Sequence, residues 1–137
     1  MRILGLDHGS KRIGVALSDE LAMIAQPQQY LPAQPLAECL RQLKEIIDSR
    51  QVGEVLVGLP RNMNGTYGPA AESVRAFIEA LQQVVTVPIK TWDERLTSTQ
   101  ANRALIETGL RREQRRERVD QTAAAILLQS YLDSRAA

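Results

Sequence analysis

The chain has 137 residues, enough for one compact core and not for two, and its 44% hydrophobic and 24% charged content is that of an ordinary globular protein. A formal net charge of only +1 means that a polyanionic partner would have to be held by a local basic patch. The single cysteine, Cys39, excludes an internal disulfide and a cysteine-based zinc cluster, and no run reaches the roughly 18 apolar residues of a membrane span. Met1 leads almost at once into a strand pattern rather than into a basic region and an apolar run. The expectation is a cytoplasmic protein with one domain over residues 1–137.

In chain order, Arg2–Asp7 is a short apolar run ending in turn chemistry, as a central strand does. Arg12–Ser18 follows a Gly-Ser turn and forms a hairpin with it. Ile24–Leu31 reads as a third strand, confined by Pro27 to an edge. From Pro35 the spacing predicts a helix, with Leu36, Leu40, Leu43 and Ile47 on one stripe. Glu54–Pro60 is a continuous apolar run that suits a parallel strand buried on both faces. Arg61–Pro69 is loop, with its turn at Asn64-Gly65. Val74, Phe77, Ile78 and Leu81 mark a second amphipathic helix. Thr86–Trp92 makes a fifth strand, followed by a third helix ending near Gly109, a charged connector over Leu110–Arg118, and a closing helix. An antiparallel opening followed by two parallel crossovers predicts an α/β fold, with a mixed five-stranded sheet and helices on both faces.

Acids stand at three informative places. Asp7 ends the first strand, Asp93 and Glu94 end the fifth, and Asp120 lies in the first turn of the closing helix. The C-terminal ends of parallel strands share one rim, so these acids can converge with one carried by a helix across the sheet. Carboxylates held together raise each other's pKa, a conflict that an oxygen-seeking divalent cation such as Mg2+ or Mn2+ removes. Such ions also support phosphodiester cleavage. Each acid has a plainer use as well: turn chemistry for Asp7, and complementing helix starts for the others. Only their convergence distinguishes the two uses. Lys11 and Arg12, in the first hairpin, and the Arg111–Arg118 run, with five arginines against two glutamates, are the candidate contacts to a polyanion. His8 and Cys39 read as structural.

The segments "LGLDHGSKRIGVALSD", "VGLPRNMNGTYGP", "TWDERLTST" and "RREQRRERVDQTAAAILLQSYLD" resemble, in the same order, the YqgF/RuvX family. That resemblance implies the RNase H-like fold of Holliday-junction resolvases. It implies a metal-dependent nuclease acting in 5′-end maturation of pre-16S ribosomal RNA in ribosome biogenesis, with a resolvase-like nuclease on branched DNA as the alternative. The carried-over triad is Asp7, Glu94 and Asp120, which serve as catalytic residues and as ligands to Mg2+ or Mn2+. Glu94 is favoured over Asp93 by the resemblance and by its longer reach. Lys11, Arg12, Arg95, Arg111, Arg112, Arg115 and Arg116 are expected to face the nucleic acid. The strand "EVLVGLP" lacks the acid that many RNase H-like enzymes carry there. Two further classes compete. An actin-like phosphate-binding module opens with a similar hairpin, but needs a second domain that this length does not allow. A non-catalytic nucleic-acid-binding module would keep the fold without binding metal.

Overall fold

The computed structural model describes residues 1–60, 64–94 and 122–136. Its strands are β1 (Arg2–His8), β2 (Arg12–Ser18), β3 (Ala25–Pro27), β4 (Leu31–Pro32), β5 (Val52–Leu59) and β6 (Ile89–Asp93). Its helices are α1 (Leu36–Ser49), α2 (Pro69–Gln82) and α3 (Ala123–Ala136). They build one mixed sheet in the order β3-β2-β1-β5-β6, with β4 also paired to β2. β1 is antiparallel to β2 and parallel to β5, and β5 is parallel to β6.

Among the described residues the sheet has six strands, not the expected five. The single strand expected over Ile24–Leu31 is two short ones, both antiparallel to β2. Proline has no N–H to give a ladder, so pairing stops near Pro27 and resumes at Leu31. Between them the Gln28 N–H still donates to the Val15 carbonyl (2.8 Å), which keeps the intervening residues on the sheet.

Strand alternation sends side chains to two cores. Leu4 and Leu6 of β1, Ile13, Val15 and Leu17 of β2, and Val55, Val57 and Leu59 of β5 pack on α1 and α2. Cys39 belongs to that core at 1% exposure, as expected of a structural cysteine. Leu36 does not: it opens α1 at 38% exposure, so the buried stripe runs through Cys39, Leu40, Leu43 and Ile47.

The opposite face carries Ile3, Ala16 and Leu56 against Ala124, Ala125, Leu127, Leu128, Tyr131 and Leu132 of α3. Here the sheet is unusually bare. A Cβ added at Gly5 would stand 2.9 Å from the Leu128 Cβ, and one at Gly58 would stand 2.4 Å from the Leu127 Cδ1. With small residues on both sides, α3 lies close against β1, β2 and β5. Each of its buried leucines contributes roughly 1.5–3 kcal/mol of apolar burial.

Glu54 anchors the far end of α3. Only 3% exposed, it accepts hydrogen bonds from the Tyr131 hydroxyl (2.9 Å) and Arg135 Nη1 (3.4 Å), and pairs with Lys90 Nζ (2.9 Å). Three donors satisfy a charge that would otherwise be costly to bury. Glu54 pairs in register with Ile3, four positions before Asp7, so it is not part of the rim where Asp7 lies.

Candidate active site

Because β1, β5 and β6 are parallel, their C-terminal ends open on one rim. Asp7 is the penultimate residue of β1 and Glu94 directly follows β6. On β1 the residues facing α3 are Ile3, Gly5 and Asp7, whereas His8 turns to the other face and stacks on Phe77 of α2 (ring centroids 4.9 Å apart). On β6, Ile89 packs into the α1/α2 core and Trp92 into the α3 core, so alternation carries Glu94 to the α3 side with Asp7. The Glu94 carboxyl lies close enough to that of Asp7 to feel its charge, and its Oε1 would stand 2.7 Å from a Cβ at Gly58. Two acids separated by 87 positions in sequence thus meet over a patch of sheet with no side chain of its own.

Burial, then the neighbouring Asp7 charge and its hydrogen bond, then Asp93, push the Glu94 carboxyl from its ordinary 4.5 up to about 7. Below about pH 7, therefore, Glu94 keeps a proton that an ordinary glutamate has lost. Between pH 4.5 and 7 the folded protein retains this proton while the unfolded chain has released it. Its contribution to stability is full below about pH 4.5 and is lost as pH rises through 7. In EDTA, wild type should therefore lose stability relative to Glu94→Gln between pH 5 and pH 8, as measured by urea denaturation. Parallel stability curves for the two proteins would contradict the raised Glu94 pKa.

Around this pair the hairpin is tight. The Gly9 N–H donates to the Arg12 carbonyl (3.0 Å), and a Cβ on Gly9 would lie 2.6 Å from that oxygen. Closing the turn is thus the structural requirement for glycine at position 9. Lys11 and Arg12 are exposed at the turn, and the Arg12 guanidinium lies over the Tyr30 ring, 4.2 Å from its centroid. Gly14 pairs in register with Asp7. A Cβ at Gly14 would touch the Asp7 Cβ and the Ala124 Cβ (3.4 Å each) and Tyr30 Cε1 (3.5 Å). Tyr30, Asp7 and the first turn of α3 therefore surround one point. Sequence reasoning missed Tyr30, since only the β4 pairing brings it here. Gly5 and Gly58 did carry a signal, because glycine inside an apolar strand marks close approach of another element.

Asp120, Arg95, Arg111, Arg112, Arg115 and Arg116 lie outside the described residues. Among the described residues no group of three or more His, Cys, Asp or Glu side chains could hold a metal ion. Within them the donor set is the Asp7–Glu94 pair. It fits a hard divalent cation, which would compete with the Glu94 proton and offset the charge of the two carboxylates once both are ionised.

Comparison with known proteins gives concordant matches. The family model described as "RuvX: Holliday junction resolvase" matches residues 1–134. A protein of Moorella thermoacetica named "Putative pre-16S rRNA nuclease" is 52% identical over 133 residues, covering 97% of this chain and 95% of its own. One of Symbiobacterium thermophilum with the same name is 50% identical over 137 residues, covering 100% and 95%. Among solved structures, Thermus thermophilus RuvC in complex with a Holliday junction substrate superposes with a TM-score of 0.59 at 15% identity, covering 99% of this chain and 96% of that one. The fowlpox virus Holliday junction resolvase gives 0.53 at 14% identity, covering 98% and 99%. These likenesses show the fold, which is RNase H-like.

Proposed function

The chain belongs to the RuvX family, and from that premise we propose that it is a metal-dependent nuclease that cleaves phosphodiester bonds in pre-16S ribosomal RNA during 5′-end processing. The supporting observation is the pairing of the Asp7 and Glu94 carboxyls at the rim shared by three parallel strands, over the bare Gly58 position. We propose Asp7, Glu94 and Asp120 as its catalytic and metal-binding acids, with Mg2+ or Mn2+ as the ion. Asp120 precedes Ala124 by four residues, and Ala124 stands beside the point where Asp7 and Gly14 meet. When bound, the ion supplies Lewis-acid activation of water and stabilisation of the leaving oxygen. The chain's own residues do the rest. Asp7, held in the β1–β2 ladder opposite Gly14, would be a fixed ligand. Glu94, once deprotonated, would be the second carboxylate ligand. The bare glycine face keeps the pair half-buried, where charge interactions are strong.

Lys11, Arg12, Arg95 and the arginines at 111, 112, 115 and 116 are proposed to hold the phosphate backbone. Replacing Arg111, Arg112, Arg115 and Arg116 by Ala should flatten the salt dependence of RNA binding by roughly 0.7–0.9 in slope per phosphate contact removed. Turnover at saturating substrate should fall much less. An unchanged slope would mean that the run is only solvated surface.

A second substrate, branched DNA, is favoured by the family description, which names a Holliday junction resolvase. Both readings are tested by offering the purified protein, in Mn2+ and in EDTA, an RNA spanning the 16S 5′ end with its precursor leader and a four-way DNA junction. Metal-dependent trimming of the RNA with the junction left intact is the expected result. Cleavage of the junction alone would transfer the reading to DNA, and no cleavage of either would refute it.

A further inference from the structure

We infer that Tyr30, with Arg12 packed on its ring, is a stacking platform for one unpaired nucleobase of the substrate strand beside the Asp7–Glu94 pair, an inference that rests on the nuclease reading. The ring is 43% exposed although it lies next to the α3 core. It is held firmly. Its neighbours are tied to the sheet by the Gln28 N–H to Val15 carbonyl bond (2.8 Å), the Leu31–Ile13 and Pro32–Arg12 pairings, and the Ala33 N–H to Lys11 carbonyl bond (3.0 Å). A ring fixed in this way loses little entropy when a base stacks on it.

The position of the ring gives it a role in cleavage. Tyr30 Cε1 and the Asp7 Cβ both fall within contact range of one point, the missing Gly14 side chain. A base on the platform would therefore belong to a nucleotide flanking the scissile phosphodiester. The Arg12 guanidinium, 4.2 Å from the ring centroid, covers one face of the ring, so the base would stack on the other, with this cation beside it for the adjoining phosphate. Sequence-tolerant stacking next to a backbone-holding cation is how single strands are bound without base readout. The low aromatic content, 4% of residues, concentrates the effect, because one ring stands where the chemistry is. The platform also selects against duplex, in which the flanking base is already stacked and paired.

Binding of a short, fluorescein-labelled single-stranded RNA, measured by anisotropy in EDTA so that no cleavage intervenes, tests the platform. Tyr30→Ala should weaken binding roughly 5- to 100-fold, the range for losing one stacked base, and leave the salt slope unchanged. Tyr30→Phe, which keeps the ring, should restore binding. An abasic substitution scanned along the RNA should reveal one position where loss of the base weakens wild type but not Tyr30→Ala. That non-additivity would not arise if Tyr30 merely supported the fold. Equal binding by wild type and Tyr30→Ala, or no abasic position at which the two differ, would overturn the platform while leaving the nuclease reading in place. A wild type that neither binds nor cleaves RNA would remove that reading, and the platform with it.

Discussion

Glu94→Gln and Asp7→Asn are each expected to reduce Mn2+-dependent cleavage to the background level, while Asp93→Asn keeps substantial activity. Amide for carboxylate preserves shape and removes one ligand charge, so the loss should exceed the roughly 10- to 100-fold typical of removing a group that only supports a ligand. Which of the two adjacent acids matters follows from the strand. Trp92 faces α3, Asp93 faces away from it, and Glu94 returns to the face where Asp7 waits. The folds should survive, because neither change opens a cavity and each removes a source of repulsion. Melting in EDTA should be unchanged or raised for Glu94→Gln, and the stabilisation by added Mn2+ should shrink. An active Glu94→Gln beside an inactive Asp93→Asn would reverse the assignment.

Gly5→Ala is expected to cost roughly 1–3 kcal/mol of stability and much of the activity. The added methyl would stand 2.9 Å from the Leu128 Cβ and 3.4 Å from the Ala124 carbonyl, atoms that cannot swing aside because they belong to the α3 backbone or sit directly on it. The helix must lift from β1 two residues from Asp7. Gly14→Ala is the informative contrast. Its methyl meets the Asp7 and Ala124 Cβ atoms at 3.4 Å, near ordinary contact, and it should cost far less. Chemical denaturation and cleavage assays on the two variants check this ordering. Equal destabilisation would mean that the close seating of α3 is not what Gly5 provides.

The elements that could be read from sequence are those whose periodicity had one physical meaning. The first hairpin, the buried run ending at Leu59 and the stripe through Val74, Phe77 and Leu81 all follow from alternation or helical spacing, because each buries one well-marked face. The third strand was misjudged because Pro27 interrupts a ladder that resumes four residues later. Leu36 fits the α1 stripe by spacing yet stands at the helix start, beyond the edge of the sheet's apolar cover. The choice between Asp93 and Glu94 was invisible to periodicity, since helices cover both faces of the sheet. Seeing which core Trp92 joins shows only that Glu94, and not Asp93, shares a face with Asp7. Tyr30 has no local signal at all: its placement beside Asp7 comes from the pairing of Leu31 and Pro32 with β2.

Asp7 and Glu94 are proposed to be held together to take a divalent cation. Calorimetric titration of Mn2+ into the EDTA-stripped, dialysed protein tests this proposal most directly. Wild type should bind saturably at pH 8 and progressively more weakly as pH falls below 7, where the Glu94 proton competes with the ion. Glu94→Gln should bind far more weakly and without that pH dependence. Saturable binding of equal strength by wild type and Glu94→Gln at every pH would contradict it.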